Sequence, residues 1–387
     1  MNILEFTFEP PTKWYGGGIC VGQSAISISN QNNVTYIGPL FDESEYPQIR
    51  FKKKIILKDN NSVFVKAYNM FKGVTTRYYQ EWKRAIKSID PNQYDAVFLD
   101  FSYNDFIVEW AKQNGLKTAV RVHNIEADMI DSSLQGKVRD KYWVRNAVNG
   151  HIIKRREENL MHKCDHLIFL TAEDQRRASE LYGDFVMRKS SVVPICMYSN
   201  NKSHKNVDVQ KPYILATGSL YYGPNAEGIK WMIEHVWNPI QDKRLLPEYS
   251  LVVAGRNPDS EMKEIISNAN NCTLIESPEN IYPYFQNADL YLAPIFYGAG
   301  MKVKVAEAMS YGLTVIGTKH ALIGYEEAGE YCIEVNNDIQ FIEAIIQYIQ
   351  SGKIDRKGCV THFDECYSMQ RSIESYNQIA QSLIKKE

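Results

Sequence analysis

The sequence predicts an α/β protein made of two Rossmann-like domains, each with a parallel sheet. Short apolar runs typical of buried strands alternate with helical segments almost from end to end, and this alternation is typical of parallel sheets. Residues 198–211 interrupt the pattern, because they are polar and lack periodicity, and we interpret them as a linker. A chain of 387 residues also favours two domains over a single core.

The linker divides the chain into an N-terminal domain, residues 1–197, and a C-terminal domain, residues 212–362. Residues 363–387 contain a final amphipathic segment, from about Asp364, that is predicted to be one helix. Parallel sheets bind ligands at the carboxyl ends of their strands, and the polar and glycine-rich segments of this chain do follow predicted strands. The sequence therefore predicts two domains that face a central cleft.

Composition excludes several classes of function. A net charge of −2 argues against a nucleic-acid binder, and no apolar run reaches the roughly 18 residues that a transmembrane helix needs. The N-terminus lacks the basic and apolar regions of a signal peptide, and residues 2–8 are interpreted as a first strand. Seven cysteines are scattered without a Cys-x-x-Cys pair, so we expect reduced thiols in a cytoplasmic protein, with neither a disulfide framework nor a zinc site.

Residues 294–318 form the stretch around which the candidate site is organised. A strand that ends near residue 294 is followed by Gly298 and Gly300, and a helix is predicted over residues 301–311. A glycine-rich turn that opens a helix exposes backbone N–H groups and the positive end of the helix dipole. Both features favour a bound phosphate.

Charged side chains follow this turn. Lys302 and Lys304 add cationic donors beside the predicted anion site. Glu307 lies three residues after Lys304, on the same helix face, where its carboxylate can accept hydrogen bonds from sugar hydroxyls. A plainer interpretation is a helix cap with a surface Lys–Glu pair, which is common in proteins. We favour the ligand site, because several other motifs also follow strands.

Three further candidates allow both a functional and a structural interpretation. His123 follows a predicted strand, where ligands bind, although a buried structural histidine fits the same place. The glycines at 16–18 are interpreted as a loop that either contacts phosphate or acceptor, or relieves strain in a tight turn. Arg256 is either a diphosphate contact or a surface charge. A dinucleotide site of the Rossmann type is disfavoured, because Gly-x-Gly-x-x-Gly is absent.

Residues 50–90 are strongly basic, with eleven Lys or Arg side chains against three acidic ones. Within this stretch, apolar residues recur at helical spacing from Val63 to Phe71. A solvated face is the simplest interpretation. The interleaved aromatic and aliphatic residues leave open a second one, a patch that contacts a membrane surface or an acidic acceptor.

The layout resembles a GT-B glycosyltransferase of the retaining family 4, the glycosyl transferases group 1. Residues 298–318 resemble the donor-binding motif of a subgroup, Gly-x-Gly-x-(Arg/Lys)-x-Lys-x-x-Glu-Ala-(Met/Leu)-(Ala/Ser)-x-Gly-x-x-Val-x-x-Thr, and fill every fixed place. Shorter matches lie at residues 218–225, 253–258, 121–124 and 16–18. The resemblance covers nearly the whole chain and is weakest over residues 40–90.

The resemblance implies roles for the matching positions. Lys302 and Lys304 would hold the diphosphate of a nucleotide sugar and stabilise its departure, and Glu307 would bind the ribose hydroxyls. His123 would contact the transferred sugar or help to order the acceptor. The remaining donor contacts would come from Gly17, Gly18, Gly218, Ser219, Arg256, Gly298, Ala299, Gly300, Met301 and Val303, with residues 276–281 beside the base.

The family also implies a reaction. We expect retaining transfer of a hexosyl group from a nucleotide-diphosphate sugar, UDP or GDP based, to a saccharide or lipid-linked saccharide in surface polysaccharide or glycoconjugate synthesis. The setting would be the cytoplasm, at the inner face of the cell membrane. No metal or other cofactor is expected, because lysines and a helix end can stabilise the departing diphosphate and no Asp-x-Asp triplet occurs. The fold implies that the C-terminal helix packs back on the N-terminal domain.

One departure from the family pattern concerns a carboxylate. Many members carry a glutamate eight residues before position 307, where this chain has Ala299. A carboxylate contact to the donor sugar is therefore missing or comes from elsewhere. Two alternatives stay open: a sugar-nucleotide epimerase of similar architecture, which would consume donor without an acceptor, and a non-catalytic binding or partner subunit.

Overall fold

The computed structural model describes residues 1–59, 62, 76, 78–102, 104–135, 141–200, 207–221, 223–298, 300–352 and 354–384. Features of the sequence analysis that fall outside these residues are the helical spacing from Val63 to Phe71, Ala299, and residues 201–206 of the linker. The chain divides into two compact units, one made of Met1–Ile195 with Met369–Glu387 and the other of Cys196–Ser368.

The first unit contains a seven-stranded parallel sheet. Its strands are β1 (Asn2–Phe6), β2 (Asn33–Gly38), β3 (Lys53–Ile56), β4 (Ala96–Asp100), β5 (Lys117–Val122), β6 (His166–Phe169) and β7 (Ser190–Val192). They lie in the order β3-β2-β1-β4-β5-β6-β7. The direction of winding therefore reverses between β1 and β4, which is the place where open parallel sheets bind ligands.

Helices cover both faces of this sheet. They are α1 (Gly16–Ser29), α2 (Tyr79–Ala85), α3 (Asp105–Gln113), α4 (Glu126–Gln135), α5 (Lys141–Lys163), α6 (Ala172–Tyr182), α7 (Phe185–Arg188) and the C-terminal helix (Met369–Ile384), with 3₁₀ turns at Ile86–Ser88 and Pro91–Gln93. Thr171 caps α6, because its side chain accepts a hydrogen bond from the Asp174 N–H. Leu4 and Phe6 of β1 pack on one face, whereas Ile3 packs on the other, against the C-terminal helix.

Buried polar side chains fasten the C-terminal helix to α1. The Ser372 hydroxyl lies 2.8 Å from that of Ser27 and accepts a hydrogen bond from the Gln23 amide at 3.0 Å. The Tyr376 hydroxyl lies 3.2 Å from Ser24 Oγ. Because buried polar groups cost stability unless they are paired, this set of bonds defines one register between the two helices.

The second unit contains a six-stranded parallel sheet. Its strands are β8 (Tyr213–Ser219), β9 (Ser250–Arg256), β10 (Cys272–Glu276), β11 (Leu290–Ala293), β12 (Val315–Thr318) and β13 (Cys332–Val335), in the order β10-β9-β8-β11-β12-β13. Its helices are α8 (Gly223–Met232), α9 (Asn238–Asp242), α10 (Ser260–Asn268), α11 (Tyr282–Asn287), α12 (Val303–Ser310), α13 (Asp338–Gln350) and α14 (Arg356–Tyr367). A π turn (Ile233–Trp237) joins α8 to α9, and a 3₁₀ segment (Glu326–Tyr331) precedes β13.

The glycines at 16–18, predicted to be a loop, form the first turn of α1 instead. The Ile19 N–H donates to the Tyr15 carbonyl at 3.1 Å, so helical bonding starts at once. A Cβ at Gly18 would lie 2.4 Å from the Thr12 side chain. The glycines thus allow the first turn of α1 to pack closely against the preceding chain. Residue spacing alone does not reveal this contact.

Two other elements differ from the prediction. Strand β3 lies within the basic stretch and was not expected there; exposed lysines are typical of an edge strand, where they discourage further pairing. The helix predicted from Asp364 onward is interrupted at Ser368, whose ψ of 151° is extended. Helix α14 therefore ends at Tyr367, and the C-terminal helix begins at Met369.

Glycines allow unusually close packing in the second unit. A Cβ at Gly228 in α8 would lie 1.7 Å from the carbonyl oxygen of Pro294, directly after β11. A Cβ at Gly255 in β9 would lie 2.0 Å from the carbonyl oxygen of Gly218, its partner in β8. In both places the neighbour is backbone, which cannot turn aside as a side chain can.

We expect Gly228→Ala to destabilise the protein by about 3 kcal/mol or more, because α8 must move away from Pro294 to admit a methyl group. Urea unfolding of both proteins measures the change in the free energy of unfolding. The matched control is Glu227→Ala, an exposed position of the same helix, which should change it by less than about 0.5 kcal/mol. Equal stability of the Gly228→Ala protein and the wild type would contradict the close packing.

Candidate functional site

The predicted phosphate-binding turn lies at the carboxyl end of β11. The chain reaches α12 through Gly298 and Gly300, whose φ angles of 105° and 72° lie in the region that favours glycine. Strand β8 pairs in parallel with β11, so Gly218 and Ser219 at the end of β8 share this edge of the sheet. The structure thus brings two of the predicted donor segments together.

Lys302 braces the turn. Its ammonium donates to the carbonyl oxygens of Gly298 at 3.0 Å and Gly300 at 2.5 Å. His320 also hydrogen-bonds to the Gly298 carbonyl through Nε2. The ammonium predicted to meet a diphosphate is therefore engaged with the turn itself in this structure.

The N-terminus of α12 follows this turn. Lys302 is the N-cap with an extended backbone, and its side chain makes no capping bond. The Tyr325 hydroxyl accepts from the Ala306 N–H at 3.0 Å and donates to the Lys302 carbonyl at 2.8 Å. The N–H groups of the first helical residues, Val303 and Lys304, have no acceptor within the helix, as at every helix start. They are the groups that an anion can reach.

Lys304 lies between α12 and the start of α8. Its ammonium donates to the side-chain oxygen of Asn225, while the Asn225 amide group donates to the Ser219 carbonyl at 3.4 Å. Gly218 gives Asn225 room, because a Cβ there would lie 3.0 Å from the Asn225 side chain. The end of β8, the start of α8 and the start of α12 are therefore linked through one amide.

Lys304 and Glu307 have shifted pKa values of opposite direction. Burial lowers the pKa of Lys304 to about 8, an effect that Glu307 opposes and Lys302 reinforces. Burial raises the pKa of Glu307 to about 7, against the attraction of Lys304. Both side chains keep some exposure, so each charge is costly here without being enclosed. A bound ligand that brings a complementary group would favour the charged forms.

The other predicted donor residues of this unit occupy the same edge or its surroundings. Arg256 ends β9 as a half-buried residue, and its carbonyl accepts from the Leu220 N–H at 2.9 Å. Met301 is buried. Residues 276–281 follow β10, where Ser277 has a φ of 49° and donates its N–H to the Gly255 carbonyl at 2.7 Å. Ala299 lies outside the described residues.

In the first unit, His123 directly follows β5, as predicted, and is buried. Its Nε2 lies 2.7 Å from Asp100 Oδ1, at the end of β4. Its ring stacks on that of Phe101 with centroids 4.1 Å apart, and Phe101 has a φ of 73°, which is strained for a side chain of this size. Strain and a buried ion pair at the carboxyl ends of two central strands are typical of a functional site.

Hydrogen bonds extend from His123 into α1. Burial lowers the pKa of His123, but hydrogen bonds with Asp100 and the Cys20 side chain outweigh it, so the pKa lies above its ordinary value. Ser24 donates to Asp100 Oδ1 at 3.2 Å and accepts from Arg121 at 2.8 Å. The C-terminal helix joins this network through its Tyr376 bond with Ser24.

Glu5 lies next to this network on β1. It is fully buried, and neither carboxyl oxygen has a hydrogen-bond partner among the described residues. Burial raises the pKa of Glu5 well above its ordinary value, and the charge of Asp100 adds to the effect. Burial therefore favours the protonated form of Glu5, next to the Asp100 carboxyl group that contacts His123.

Gly17 and Gly18 bring the start of α1 close to His123. A Cβ at Gly17 would lie 3.9 Å from the Phe101 ring that stacks on His123, and 3.4 Å from the Tyr15 ring. Phe101 thus lies close to Gly17 as well as to His123. His123, Gly17 and Gly18 belong to the first unit, whereas the lysines and Glu307 belong to the second.

Sequence reasoning assigned no role to Asn225, Tyr325 or Asp100. Asn225 lies in the family match at residues 218–225, and Asp100 lies at the end of a predicted strand, so the sequence marked both positions as candidates for a functional site. Their partners lie 79 residues away for Asn225 and 23 for Asp100, which no local pattern reveals. No motif in the sequence pointed to Tyr325, whose hydrogen bonds with Ala306 and Lys302 span 19 and 23 residues.

Among the residues that the structure describes, no three His, Cys, Asp or Glu side chains are grouped so that they can share a metal ion. Within the same residues, no helix combines the length and the apolar character required to cross a membrane.

Comparison with known proteins gives one family and one curated relative. Residues 211–351 match the family described as glycosyl transferases group 1. A 44.6 kDa protein of the cps region of Klebsiella pneumoniae is 24% identical over 273 residues, which cover 66% of this chain and 66% of the relative. The match thus spans about two thirds of the length of that relative.

Several solved structures are similar to this chain in fold. HepE of Anabaena, in complex with UDP and glucose, has a TM-score of 0.67 at 11% identity, over 99% of this chain and all of the other. A glycosyltransferase of Rickettsia africae has a TM-score of 0.65 at 12% identity, over 100% of this chain and 99% of the other. The pneumococcal O-GlcNAc transferase GtfA, in complex with UDP and GlcNAc, has a TM-score of 0.61 at 13% identity, over 100% of this chain and 99% of the other. The chain therefore has the GT-B fold, and its residues 211–351 are a domain of the glycosyl transferases group 1 family, family 4 of the glycosyltransferases.

Proposed function

We propose that the protein is a retaining glycosyltransferase that moves a hexosyl group from a nucleotide-diphosphate sugar to a saccharide or lipid-linked saccharide. The observation that carries the proposal is the start of α12, where a glycine turn, two lysines and a half-buried carboxylate meet at the carboxyl end of a parallel sheet. This arrangement has the charge and the hydrogen-bond donors for a diphosphate, with an acceptor for hydroxyls one turn further on.

Departure of the diphosphate is the step that this site favours. When the bond between the sugar C1 and the phosphate oxygen breaks, negative charge collects on the leaving group. Lys304, the charge of Lys302 and the first N–H groups of α12 stabilise that charge from fixed positions. The acceptor hydroxyl then bonds to C1 and passes its proton to the leaving phosphate, as the family resemblance implies, so no protein nucleophile is assigned.

Glu307 and His123 receive roles that follow from their surroundings. Glu307 lies one helical turn beyond the lysines, where its carboxylate can accept hydrogen bonds from the two ribose hydroxyls. His123 is assigned to the transferred sugar. Asp100 holds its imidazole in one orientation and favours the protonated form. A protonated imidazole donates hydrogen bonds from both nitrogens. Asp100 receives one of these bonds, and the Cys20 side chain also hydrogen-bonds with the ring, so a sugar hydroxyl must replace or share the Cys20 contact.

Two comparisons support the choice of substrates. HepE and GtfA were both solved with UDP, so UDP is the first nucleotide to test. The curated relative comes from a cps region, which supports a role in surface polysaccharide synthesis. The decisive assay measures consumption of a UDP-sugar with and without an acceptor. Acceptor-dependent release of UDP supports transfer, whereas acceptor-independent conversion of the sugar nucleotide indicates an epimerase.

Lys304→Ala should weaken UDP binding by about 1.5–3 kcal/mol, the contribution of one charge-assisted hydrogen bond. Isothermal titration calorimetry measures the loss directly. Lys357→Ala, an exposed lysine of α14 in the same unit, is the matched control and should bind UDP as the wild type does. Unchanged affinity in Lys304→Ala would remove the diphosphate assignment.

UDP affinity should be greatest between about pH 7 and pH 8 and decline on both sides. Below about 7, protonation of Glu307 removes the acceptor for the ribose, and above about 8, deprotonation of Lys304 removes the cation. Glu307→Gln should abolish the dependence on Glu307 at the acidic side, and Lys304→Gln that at the basic side. Titration of the phosphate itself is measured in the double variant and subtracted. A dissociation constant that stays the same from pH 6 to pH 9 would contradict the assignment.

Asp100→Asn should lower the pKa of His123, because burial then acts without a carboxylate to oppose it. Histidine proton NMR measures the pKa, with the signal assigned through His123→Gln. The ion pair stabilises the fold while His123 is protonated, fully below the unfolded pKa of about 6.5, and this contribution disappears as pH rises through the raised folded value. The variant should therefore lose more stability at pH 6 than at pH 9. Asp131→Asn, from an exposed pair with Lys154, should show no such difference.

A further inference from the structure

Two large aromatic side chains lie exposed immediately before α1. Trp14 is 57% exposed and Tyr15 is 43% exposed, whereas the other aromatic side chains that the structure describes in the first unit are buried or half-buried. Tyr15 is the N-cap residue of α1, so both rings lie beside the helix start that carries Gly17. We call Trp14 and Tyr15 the aromatic pair.

Carboxylates hold the polar tips of the aromatic pair. The indole N–H of Trp14 donates to Glu45 Oε1 at 2.9 Å, and the hydroxyl of Tyr15 donates to Glu9 Oε2 at 2.7 Å. With the tips bonded inside the protein, the orientation of each ring is restricted, although both side chains remain exposed. Such restriction lowers the entropy lost when a ligand stacks on the ring.

Glu45 is itself firmly placed. Its other oxygen accepts from the Thr12 hydroxyl at 2.9 Å and the Lys13 N–H at 2.7 Å, so one carboxylate organises residues 12–14. The neighbouring Tyr46 is buried against α1, where a Cβ at Gly22 would lie 2.5 Å from its ring. The orientation of Trp14 therefore depends on the packed core beneath α1.

The aromatic pair is adjacent to the residue assigned to the transferred sugar. A Cβ at Gly17 would lie 3.4 Å from the Tyr15 ring and 3.9 Å from the Phe101 ring, and Phe101 stacks on His123. A chain of contacts thus leads from Tyr15 through Gly17 and Phe101 to His123. The aromatic pair is therefore a neighbour of the stack of Phe101 on His123.

The chemistry of the surroundings favours an uncharged sugar ring. The C–H faces of a hexopyranose stack on aromatic rings, and its hydroxyls donate to carboxylates. Four carboxylates lie around the aromatic pair or on the adjoining segment, from Glu9, Asp42, Glu43 and Glu45, and the exposed Glu43 is already paired with Lys54. These acids outnumber the basic neighbours, Lys13 and Lys54, and therefore oppose contact with anionic lipid.

We propose that Trp14 and Tyr15 form a stacking surface for a neutral sugar ring of the acceptor. This inference rests on the proposed function, because it identifies the acceptor side of the same site. Trp14 supplies most of the contact area, Tyr15 positions the ring toward His123, and free lone pairs of Glu9 and Glu45 receive hydroxyl groups. The surface selects pyranose rings with an unhindered C–H face and disfavours acceptors that carry a negative charge at this position.

Saturation-transfer NMR tests the proposal, with the methyl glycosides of glucose, galactose and N-acetylglucosamine as probes and UDP present at saturation. Wild-type protein should transfer magnetisation to ring C–H protons of at least one glycoside. Trp14→Ala should weaken its binding by about three- to tenfold, the effect of losing one aromatic partner. Trp14→Phe keeps a ring and should retain more affinity than Trp14→Ala. Tyr198→Ala removes a comparably exposed aromatic residue of the other unit and should bind as the wild type does.

The controls separate this inference from the proposed function. Absence of UDP binding in the wild type would overturn the proposed function. If the wild type binds UDP but no glycoside, or if Trp14→Ala binds glycosides as well as the wild type does, the stacking surface is wrong. A third measurement is co-sedimentation with phosphatidylglycerol–phosphatidylethanolamine vesicles. Loss of vesicle binding in Trp14→Ala, with glycoside binding intact, would assign the aromatic pair to a membrane and overturn the proposal.

Discussion

The candidate donor site depends on the close approach of α8 to the chain that leaves β11. Gly228 makes this approach possible, because its missing side chain leaves room for the carbonyl of Pro294. The approach brings Asn225, one turn earlier in α8, to the ammonium of Lys304 in α12. A second close contact, between Gly255 and Gly218, leaves the end of β8 bare so that Asn225 fits over it. Backbone packing at two glycines therefore decides where a charged side chain lies, and the electrostatics follow from the packing.

Each unit holds charge at the carboxyl ends of its strands, but at a different depth. In the second unit, Lys304 and Glu307 are only partly covered, and burial brings both pKa values toward neutrality. A ligand can therefore restore their charges on binding. In the first unit, His123 and Asp100 are buried as a pair and hold each other's orientation. Lys304 and Glu307, which are half-buried, are suited to reversible binding of an ion. His123 and Asp100, which are buried, are suited to holding the imidazole in one position.

The C-terminal helix has a part in this second arrangement. Its Tyr376 bonds to Ser24, and Ser24 also contacts Asp100 and Arg121. Removal of the helix would leave buried polar groups of α1 without partners, which is costly. The C-terminal helix therefore belongs to the same hydrogen-bond network as His123. A strained Phe101, held between His123 and the start of α1, is part of the same construction.

The sequence by itself determined the features that depend on neighbouring residues. The alternation of apolar and helical segments indicated parallel sheets, and the spacing of Lys304 and Glu307 placed both on one helix face, because an α-helix repeats every 3.6 residues. The tertiary structure alone decided which groups meet across the chain. Hydrogen bonds join residues of different elements in two places, between Asn225 and Lys304 and between Asp100 and His123. The Lys302 ammonium instead donates to a carbonyl of the turn that precedes it. The glycines at 16–18 became a helix because Gly18 packs against Thr12. Local spacing carries no information about such packing, since it depends on how elements distant in the chain fill space together.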